Sequence, residues 1–227
     1  MSKKFWIDSQ TNQIVSYDTL FAELLKEGDN NVYIYSKNPV EVFLNLLRNL
    51  LCEKKSIILD GDFSSYELDL IGISKNHIED GIYFQDILVK KYKSFDEIIS
   101  FLISKSDLLS IELYTSGTTG RPKKISQYLT NVIRAVKTTE SMKNKIWGFA
   151  YNPTHFAGLQ VFFQAFFNLN PMVFLFDKNY DTIYKDLCDH SITNLSSTPT
   201  FMKMLIPSIK EPLVKVKKLT FGGEKFN

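Results

Sequence analysis

Residues 114–124 read YTSGTTGRPKK and form the densest run of small hydroxyl side chains and glycines in this 227-residue chain. The apolar run ahead of them, residues 108–114, predicts a β-strand, and residues 126–142 behind them predict a helix. Glycines at positions 117 and 120 allow the backbone to turn tightly and to approach a ligand closely. The sequence therefore predicts a ligand-binding loop between a strand and a helix.

The side chains of this loop suit an anionic ligand. Successive backbone N–H groups in such a turn form a concave anion site, and hydroxyl side chains add donors. Lys123 supplies a mobile positive charge, and Arg121 is a second candidate. These groups together suit a polyphosphate. The spacing is not that of a Walker loop, G-x-x-x-x-G-K-[ST], because Gly117 is followed by Gly120 and then by Arg-Pro-Lys.

A flexible surface loop is the alternative interpretation, since glycine, serine and threonine are common in such loops. A flexible linker would not be expected between a predicted strand and a predicted helix, with two lysines and a proline at its end. The phosphate-binding interpretation is therefore favoured for this stretch.

Composition excludes some partners. The 27 Lys and Arg residues nearly balance the 25 Asp and Glu residues, so no overall field favours nucleic acid or an anionic membrane. Cys52 and Cys188 stand in no motif and predict buried free thiols in a reducing compartment, which indicates the cytoplasm. The first ten residues contain no long apolar run, so no secretory signal is predicted.

Residues 156–176, FAGLQVFFQAFFNLNPMVFLF, carry no charge and have the length of a membrane-spanning helix. Gln160, Gln164 and Asn168 recur every four residues, however, and would place a polar stripe on one helix face. Pro171 then ends the helix, and the five residues after it are typical of a short buried strand. We therefore expect a buried helix and a core strand here, and no membrane span.

The rest of the chain alternates short apolar runs with helical patterns, without repeats or a linker that would mark an interior domain boundary. Such alternation implies crossover connections and an α/β fold with largely parallel sheets covered by helices. Predicted strands are residues 32–35, 56–59, 108–114, 146–150, 172–176, 193–195 and 216–221. Predicted helices are residues 39–52, 94–105 with Ser94 as a cap, 126–142, a helix from 156, 180–190 and 199–205.

Six segments, in order along the chain, resemble motifs of the adenylate-forming superfamily, which includes acyl-CoA synthetases and peptide-synthetase adenylation domains. LYTSGTTGRPKKI is similar to its phosphate-binding signature. YNPTHFAGL resembles its Pro-x-His-x-x-Gly segment, and VKKLTFGGEKF its Gly-Gly-Glu strand end. The others are IVSYDTLFAELL, similar to a Tyr-x-x-Leu helix start, VYIYSKNPVEVFLNLLRNLLCEKKSIILDGDFS, similar to the first strand–helix–strand unit, and ITNLSSTPTFMKMLI, similar to a Val-Pro-Thr turn.

The resemblance implies that residues 1–227 are an incomplete N-terminal large domain of an acyl-CoA-synthetase-like fold, without the small C-terminal domain. It implies a ligase that joins a small-molecule carboxylate to the α-phosphorus of ATP, with release of pyrophosphate. The thiol of coenzyme A, or the pantetheine of an acyl carrier protein, then attacks the acyl adenylate. Mg²⁺ would be held mainly through the phosphates, with no protein metal ligands assigned.

The resemblance also implies site residues. The nucleotide phosphates would be held by Lys123 and by Thr115, Ser116, Gly117, Thr118, Thr119 and Gly120. Lys123 and His155 would be the catalytic residues, and His155, Phe156 and Gly158 would form the carboxylate pocket. Gly222, Gly223 and Glu224 would let a flat adenine or acyl group pack on bare backbone. For His155 a packing role at a helix start is the alternative, and for the two glycines an ordinary turn.

The chain departs from the family pattern at three places. Lys124 stands where the family usually has glycine, and Tyr128-Leu129 where it usually has a Ser or Thr followed by His. The chain also stops three residues after Glu224, before the family's ribose-binding aspartate and C-terminal lysine. A fragment with little or no activity of its own is therefore expected. Two other functions remain open: a phosphotransferase, and a degenerate, non-catalytic nucleotide- or carboxylate-binding module.

Overall fold

The computed structural model describes residues 2–86, 91–115 and 122–224. They form two compact units that interleave along the chain. The first unit comprises Met1–Thr19, Ala135–Asn152 and Phe156–Asn227, and the second comprises Leu20–Arg134 and Pro153–His155. Each unit contains its own sheet.

The described strands are β1 (Lys4–Asp8), β2 (Gln13–Ser16), β3 (Gly28–Asn31), β4 (Tyr33–Ser36), β5 (Ser56–Asp60), β6 (Tyr83–Asp86), β7 (Ser110–Thr115), β8 (Lys123–Tyr128), β9 (Trp147–Phe149), β10 (Met172–Phe174), β11 (Asn194–Ser197) and β12 (Lys218–Phe221). The described α-helices are α1 (Tyr17–Leu24), α2 (Pro39–Leu51), α3 (Ser65–Leu70), α4 (Lys75–Glu79), α5 (Phe95–Ser104), α6 (Leu129–Ile133), α7 (Phe156–Phe166), α8 (Tyr180–Asp189) and α9 (Pro199–Leu205).

The first unit is built on a sheet with the strand order β12-β11-β9-β10-β1-β2. Neighbouring strands are parallel except for β1 and β2, which form an antiparallel edge pair. Parallel strands are normally covered on both faces, and the buried residues fit this rule: Trp6 of β1 packs its ring 5.5 Å from that of Phe149 in β9. The predicted α/β class with parallel strands is confirmed.

Helix α7 supplies much of the core of the first unit and confirms the expected buried helix. Its aromatic side chains Phe162, Phe163 and Phe166 are fully buried. Two residues of the predicted polar stripe form hydrogen bonds with the backbone: Gln164 Nε2 and Asn168 Nδ2 each donate to the Lys137 carbonyl at 2.9 Å. None of the helices in the described part of the chain combines the length and apolarity needed to cross a bilayer.

The second unit holds a sheet with the order β4-β5-β7-β8 and a separate antiparallel ribbon of β3 and β6. Strands β4, β5 and β7 run parallel, whereas β8 is antiparallel to β7. Helix α2 begins where its sequence signals it, because Asn38 caps the Val40 N–H and Pro39 occupies the first turn. Ser94 likewise caps α5, as predicted.

The predicted helix over residues 126–142 is wrong. Residues 123–128 form β8, α6 covers only Leu129–Ile133, and a 3₁₀ turn spans Glu140–Met142. From Lys124 to Tyr128 the side chains alternate between exposed and less exposed, which is the period of a strand. The segment pairs along β7 with Thr115 opposite Lys123. The threonine-rich loop therefore connects two antiparallel strands rather than a strand and a helix.

The prediction of two buried thiols is wrong for one of them. Neither cysteine forms a disulfide; Cys52 is partly buried, but Cys188 is exposed. Cys188 lies in α8 next to the buried Leu187, so it occupies a position of the helix that faces away from the core.

Candidate functional site

The carboxyl ends of parallel strands are where α/β proteins usually bind ligands, and in the second unit β4, β5 and β7 share such an edge. Their last residues are Ser36, Asp60 and Thr115, and Lys123 pairs with Thr115 at the start of β8. The predicted phosphate-binding residues Ser116, Gly117, Thr118, Thr119 and Gly120 lie outside the described residues. Both ends of the predicted loop therefore lie at this edge.

The two lysines after the loop differ in their contacts. Successive side chains of a strand face opposite sides of the sheet, so Lys123 and Lys124 diverge. Lys124 Nζ lies 3.4 Å from Glu112 Oε1, and Lys55 Nζ lies 2.7 Å from the same oxygen. Lys123 makes no ion pair or side-chain hydrogen bond with any residue that the structure describes. Only Lys123 is thus left available for an anionic ligand.

Glu112 gives Lys124 a carboxylate partner on the neighbouring strand β7. Its carboxylate is buried, with 9% of the side chain exposed. Burial raises the pKa of Glu112, but hydrogen bonds and charge from Lys55 and Lys124 outweigh that effect, and the net pKa is lowered. Lys124 therefore serves the β7–β8 pair as a counter-ion, and this position has a structural role.

The second feature of this edge is an acid–imidazole pair that the sequence interpretation missed. His155 Nε2 lies 3.1 Å from Asp60 Oδ2, and the side chains are 39% and 12% exposed respectively. Asp60 ends β5, and its Oδ1 accepts the Asp62 N–H at 3.1 Å. The Asp-Gly-Asp run directly after a predicted parallel strand was the signal that could have indicated this carboxylate.

Gly61, which follows Asp60, allows the ends of β4 and β5 to approach closely. A Cβ at this position would lie 2.6 Å from the Ser36 carbonyl oxygen and 2.9 Å from the Lys37 nitrogen. Both neighbours are backbone atoms, which cannot move aside as a side chain could. The small residue at position 61 thereby helps to fix where Asp60 lies.

We expect Gly61→Ala to lower the free energy of unfolding by about 1–3 kcal/mol, the usual cost of overpacking. Gly28→Ala is the matched control, because a Cβ there meets only the end of the Arg48 side chain at 3.8 Å. Urea denaturation of both variants measures the difference. Equal stability of the two would contradict the close approach of β4 and β5.

The first unit has its own ligand-type edge, at the carboxyl ends of β11 and β12. The buried Tyr151 hydroxyl donates to the Ser197 carbonyl at 2.7 Å, and the Gly222 N–H donates to the same oxygen at 3.2 Å. Burial raises the pKa of the Tyr151 phenol. Gly223 adopts φ +81°, a backbone conformation that favours glycine. Gly223 thus meets a backbone requirement, and both glycines leave the backbone bare.

Glu224 is tied to the start of α9. Thr200 Oγ1 donates to Glu224 Oε2 at 2.6 Å, and the Thr200 N–H lies 3.3 Å from the same oxygen. The hydroxyl bond is the largest cause that lowers the pKa of Glu224. Thr198 caps α9 through the Phe201 N–H. The Ser-Thr-Pro-Thr turn therefore holds an ionised carboxylate in place, and Tyr151 and Thr200 are contacts that the sequence did not reveal.

The predicted pocket residues at the start of α7 lie close to this edge. Phe156 begins α7 and is partly buried, whereas Gly158 is buried. A Cβ on Gly158 would collide with the Asn152 carbonyl oxygen, and a Cβ on Gly223 would lie 4.0 Å from the Cβ of Ala157. The first unit thus brings the start of α7 to Gly223, as the second unit brings His155 to Asp60.

Tight glycine turns and polar groups at the carboxyl ends of parallel strands are typical of α/β ligand-binding proteins, a class that includes nucleotide-binding enzymes. The family is more specific than the class. A family model described as AMP-binding enzyme matches residues 24–227, and the chain belongs to this family.

Curated relatives include two enzymes named 2-succinylbenzoate–CoA ligase. The one from Bacillus velezensis is 22% identical over 216 residues, which cover 88% of this chain and 44% of the relative. The one from Enterococcus faecalis is 25% identical over 241 residues, covering 96% and 49%. The chain therefore spans about half the length of the curated relatives it matches.

Solved structures show the same fold. The O-succinylbenzoate coenzyme A synthetase from Bacillus subtilis, in complex with ATP and magnesium ion, matches with a TM-score of 0.68 at 19% identity, covering 98% of this chain and 52% of that one. The N-terminal subdomain of Klebsiella oxytoca NpsA matches with a TM-score of 0.69 at 12% identity, covering 100% and 65%.

Proposed function

We propose that these residues are the nucleotide- and acid-binding part of an ATP-dependent carboxylate–coenzyme A ligase. In the first step a carboxylate oxygen of the acid attacks the α-phosphorus of ATP, and pyrophosphate leaves. In the second step the thiolate of coenzyme A attacks the acyl carbon, a thioester forms, and AMP leaves with the bonding electron pair. Family membership and the two CoA-ligase relatives support this reaction.

The observation that carries the proposal is the difference between the contacts of Lys123 and those of Lys124. One lysine is neutralised by the buried Glu112, while the other remains unpaired among the described residues at the exit of the predicted loop. We assign to Lys123, with the backbone of Thr115 through Gly120, the binding of the β- and γ-phosphates. Charge that builds on the leaving pyrophosphate would be stabilised there.

Magnesium fits this assignment as a companion of the nucleotide. Within residues 2–86, 91–115 and 122–224, no group of three His, Cys, Asp or Glu side chains could hold a metal ion. Mg²⁺ is commonly bound through substrate phosphates with few protein ligands. We therefore propose that the phosphate oxygens of ATP supply most of its coordination.

The remaining site residues receive roles in acid and adenine binding. We propose that His155 contacts the substrate carboxylate and that Phe156 and Gly158 contribute to the acyl pocket. The bare backbone of Gly222 and Gly223, next to Glu224, would take a flat ring. 2-Succinylbenzoate, which the names of the relatives mention, is the first acid to test, and coenzyme A is favoured over a carrier protein as the acceptor. A cytoplasmic location is part of the proposal.

We also propose that residues 1–227 correspond to part of an N-terminal AMP-binding domain. The catalytic test accordingly uses the product of the complete reading frame that contains these residues. We expect acid-dependent exchange of labelled pyrophosphate into ATP, and formation of AMP with coenzyme A present. ADP as the product would indicate a phosphotransferase instead. A folded protein without exchange across a broad panel of acids would indicate a non-catalytic binding module.

A further inference from the structure

The imidazole of His155 uses only one of its two nitrogens in the described structure. Nε2 lies 3.1 Å from Asp60 Oδ2. No other side chain or backbone group in the described ranges forms a hydrogen bond with the ring, and 39% of the side chain is exposed. Nδ1 therefore has no hydrogen-bond partner among the described residues.

The partner of this ring, Asp60, also accepts a backbone hydrogen bond and has charged neighbours. Asp60 Oδ1 accepts the Asp62 N–H at 3.1 Å, and the side chain is only 12% exposed. Asp62 forms an ion pair with Lys37 at 2.5 Å, and Glu67 lies close enough to feel the charge of Asp60. An ionised carboxylate can only accept hydrogen bonds, so Nε2 of His155 must carry a proton to form this contact.

We infer that Asp60 is a positioning residue: it holds the Nε2–H of His155, so that Nδ1 takes up a second proton and donates to the substrate carboxylate. The inference rests on the proposed function. A neutral ring with its proton on Nε2 presents a lone pair at Nδ1, which repels a carboxylate. The imidazolium is stabilised on both sides, by Asp60 at Nε2 and by the substrate at Nδ1.

The first test uses the 227-residue chain with ¹⁵N-labelled histidine and reads the tautomer of His155 by NMR. Asp60→Asn is the decisive variant, because the amide oxygen of asparagine only accepts hydrogen bonds and its NH₂ group only donates them. The Asp62 N–H needs an acceptor, so the amide oxygen of the variant stays on that side and its NH₂ group faces His155. An NH₂ group donates to Nε2, and the neutral ring then carries its proton on Nδ1.

We therefore expect the neutral ring of His155 to carry its proton on Nε2 in the unchanged chain and on Nδ1 in Asp60→Asn. Asp62→Asn is the matched control. It keeps the backbone N–H that donates to Asp60, so the neutral ring of His155 should still carry its proton on Nε2. His77 is an internal reference, because its Nδ1 accepts the Ser74 N–H at 3.2 Å. A proton on Nδ1 in the unchanged chain, or no switch in Asp60→Asn, overturns the inference.

The second test uses the complete enzyme in the pyrophosphate exchange assay with 2-succinylbenzoate. The KM for the acid should be about tenfold higher in Asp60→Asn than in the unchanged enzyme, because the ring loses the carboxylate that holds its Nε2–H. The KM for ATP should stay within about threefold. Asp62→Asn should behave like the unchanged enzyme.

The two tests separate two failures. An unaltered acid KM in Asp60→Asn, in an enzyme that does catalyse exchange, overturns the positioning role. Absence of exchange in the unchanged enzyme overturns the proposed function, and with it the carboxylate role of His155. The NMR experiment still decides in that case whether Asp60 sets the tautomer.

Discussion

Lys178→Met is expected to lower the free energy of unfolding by about 3–5 kcal/mol, because it removes one partner of a buried ion pair. Only 1% of the Lys178 side chain is exposed, yet its Nζ lies 2.8 Å from Asp8 Oδ1 and 3.1 Å from Asp186 Oδ2. Ser9 Oγ accepts a further hydrogen bond from Nζ at 3.0 Å. Methionine fills a similar volume but removes the lysine cation from both carboxylates, and Asp186 keeps only the more distant His190 Nε2 at 3.8 Å.

The lowered pKa of Asp8 determines how the stability loss of Lys178→Met changes with pH. Burial raises the pKa of Asp8, but hydrogen bonds from Lys178, Thr11 and the Gln10 N–H outweigh it, so the folded-state pKa lies below the ordinary value of 3.8. A carboxyl group with a lowered pKa adds stability above its unfolded-state pKa, and this stability is lost as the pH falls through the folded-state value. The Lys178→Met deficit should therefore be full near pH 7 and shrink in acid.

Urea denaturation followed by circular dichroism measures both effects. Lys185→Met is the matched control, since this lysine lies on the exposed side of α8, and a change within about 0.5 kcal/mol is expected. The triple variant Asp8→Asn, Lys178→Met, Asp186→Asn should recover part of the loss, because it leaves no buried charge unpaired. A Lys178→Met protein as stable as the control would show that the pair contributes nothing.

Elements with strong local signals could be predicted from the sequence, whereas elements defined by distant partners could not. Helix α9 has the predicted bounds because Pro199 and the Thr198 cap fix its start within a few residues. The segment after the threonine-rich loop has no such cap, and residues 123–128 form a strand because they pair with β7. Strands β3 and β6, GDNN and YFQD, carry no apolar alternation, and only the structure reveals them.

The candidate site divides in the same way. The glycines at 222–223 and the lysine at 123 belong to short motifs that a reader of the sequence can recognise. Asp60 and His155 are separated by 95 positions, and nothing local to His155 indicates which carboxylate it contacts. The role of Lys124 was also out of reach, because it depends on Glu112 in the neighbouring strand. Chemistry that needs two elements becomes visible only when the fold places them side by side.

Lys123→Ala is expected to lower kcat/KM for ATP by about 10²-fold or more in the complete enzyme, the usual cost of removing one donor that stabilises developing oxyanion charge. The reason is positional: its ammonium has no partner among the described residues, so its charge is available to the phosphates. The KM for the acid should change by less than about threefold, because the lysine addresses the nucleotide. Pyrophosphate exchange at varied ATP and at varied acid separates the two effects.

Lys124→Ala is the matched control, because Lys124 is adjacent to Lys123 and carries the same charge. Its ammonium is already engaged by Glu112, and Lys55 still neutralises that carboxylate at 2.7 Å after the substitution. We expect a loss in ATP use below about threefold, and a stability loss below about 1 kcal/mol because both lysine side chains are half exposed. Equal losses for the two variants would mean that net charge near the loop, rather than the position of Lys123, governs nucleotide use. An unchanged ATP dependence in Lys123→Ala would remove its assignment to the phosphates, and with it the observation on which the proposed ligase function depends.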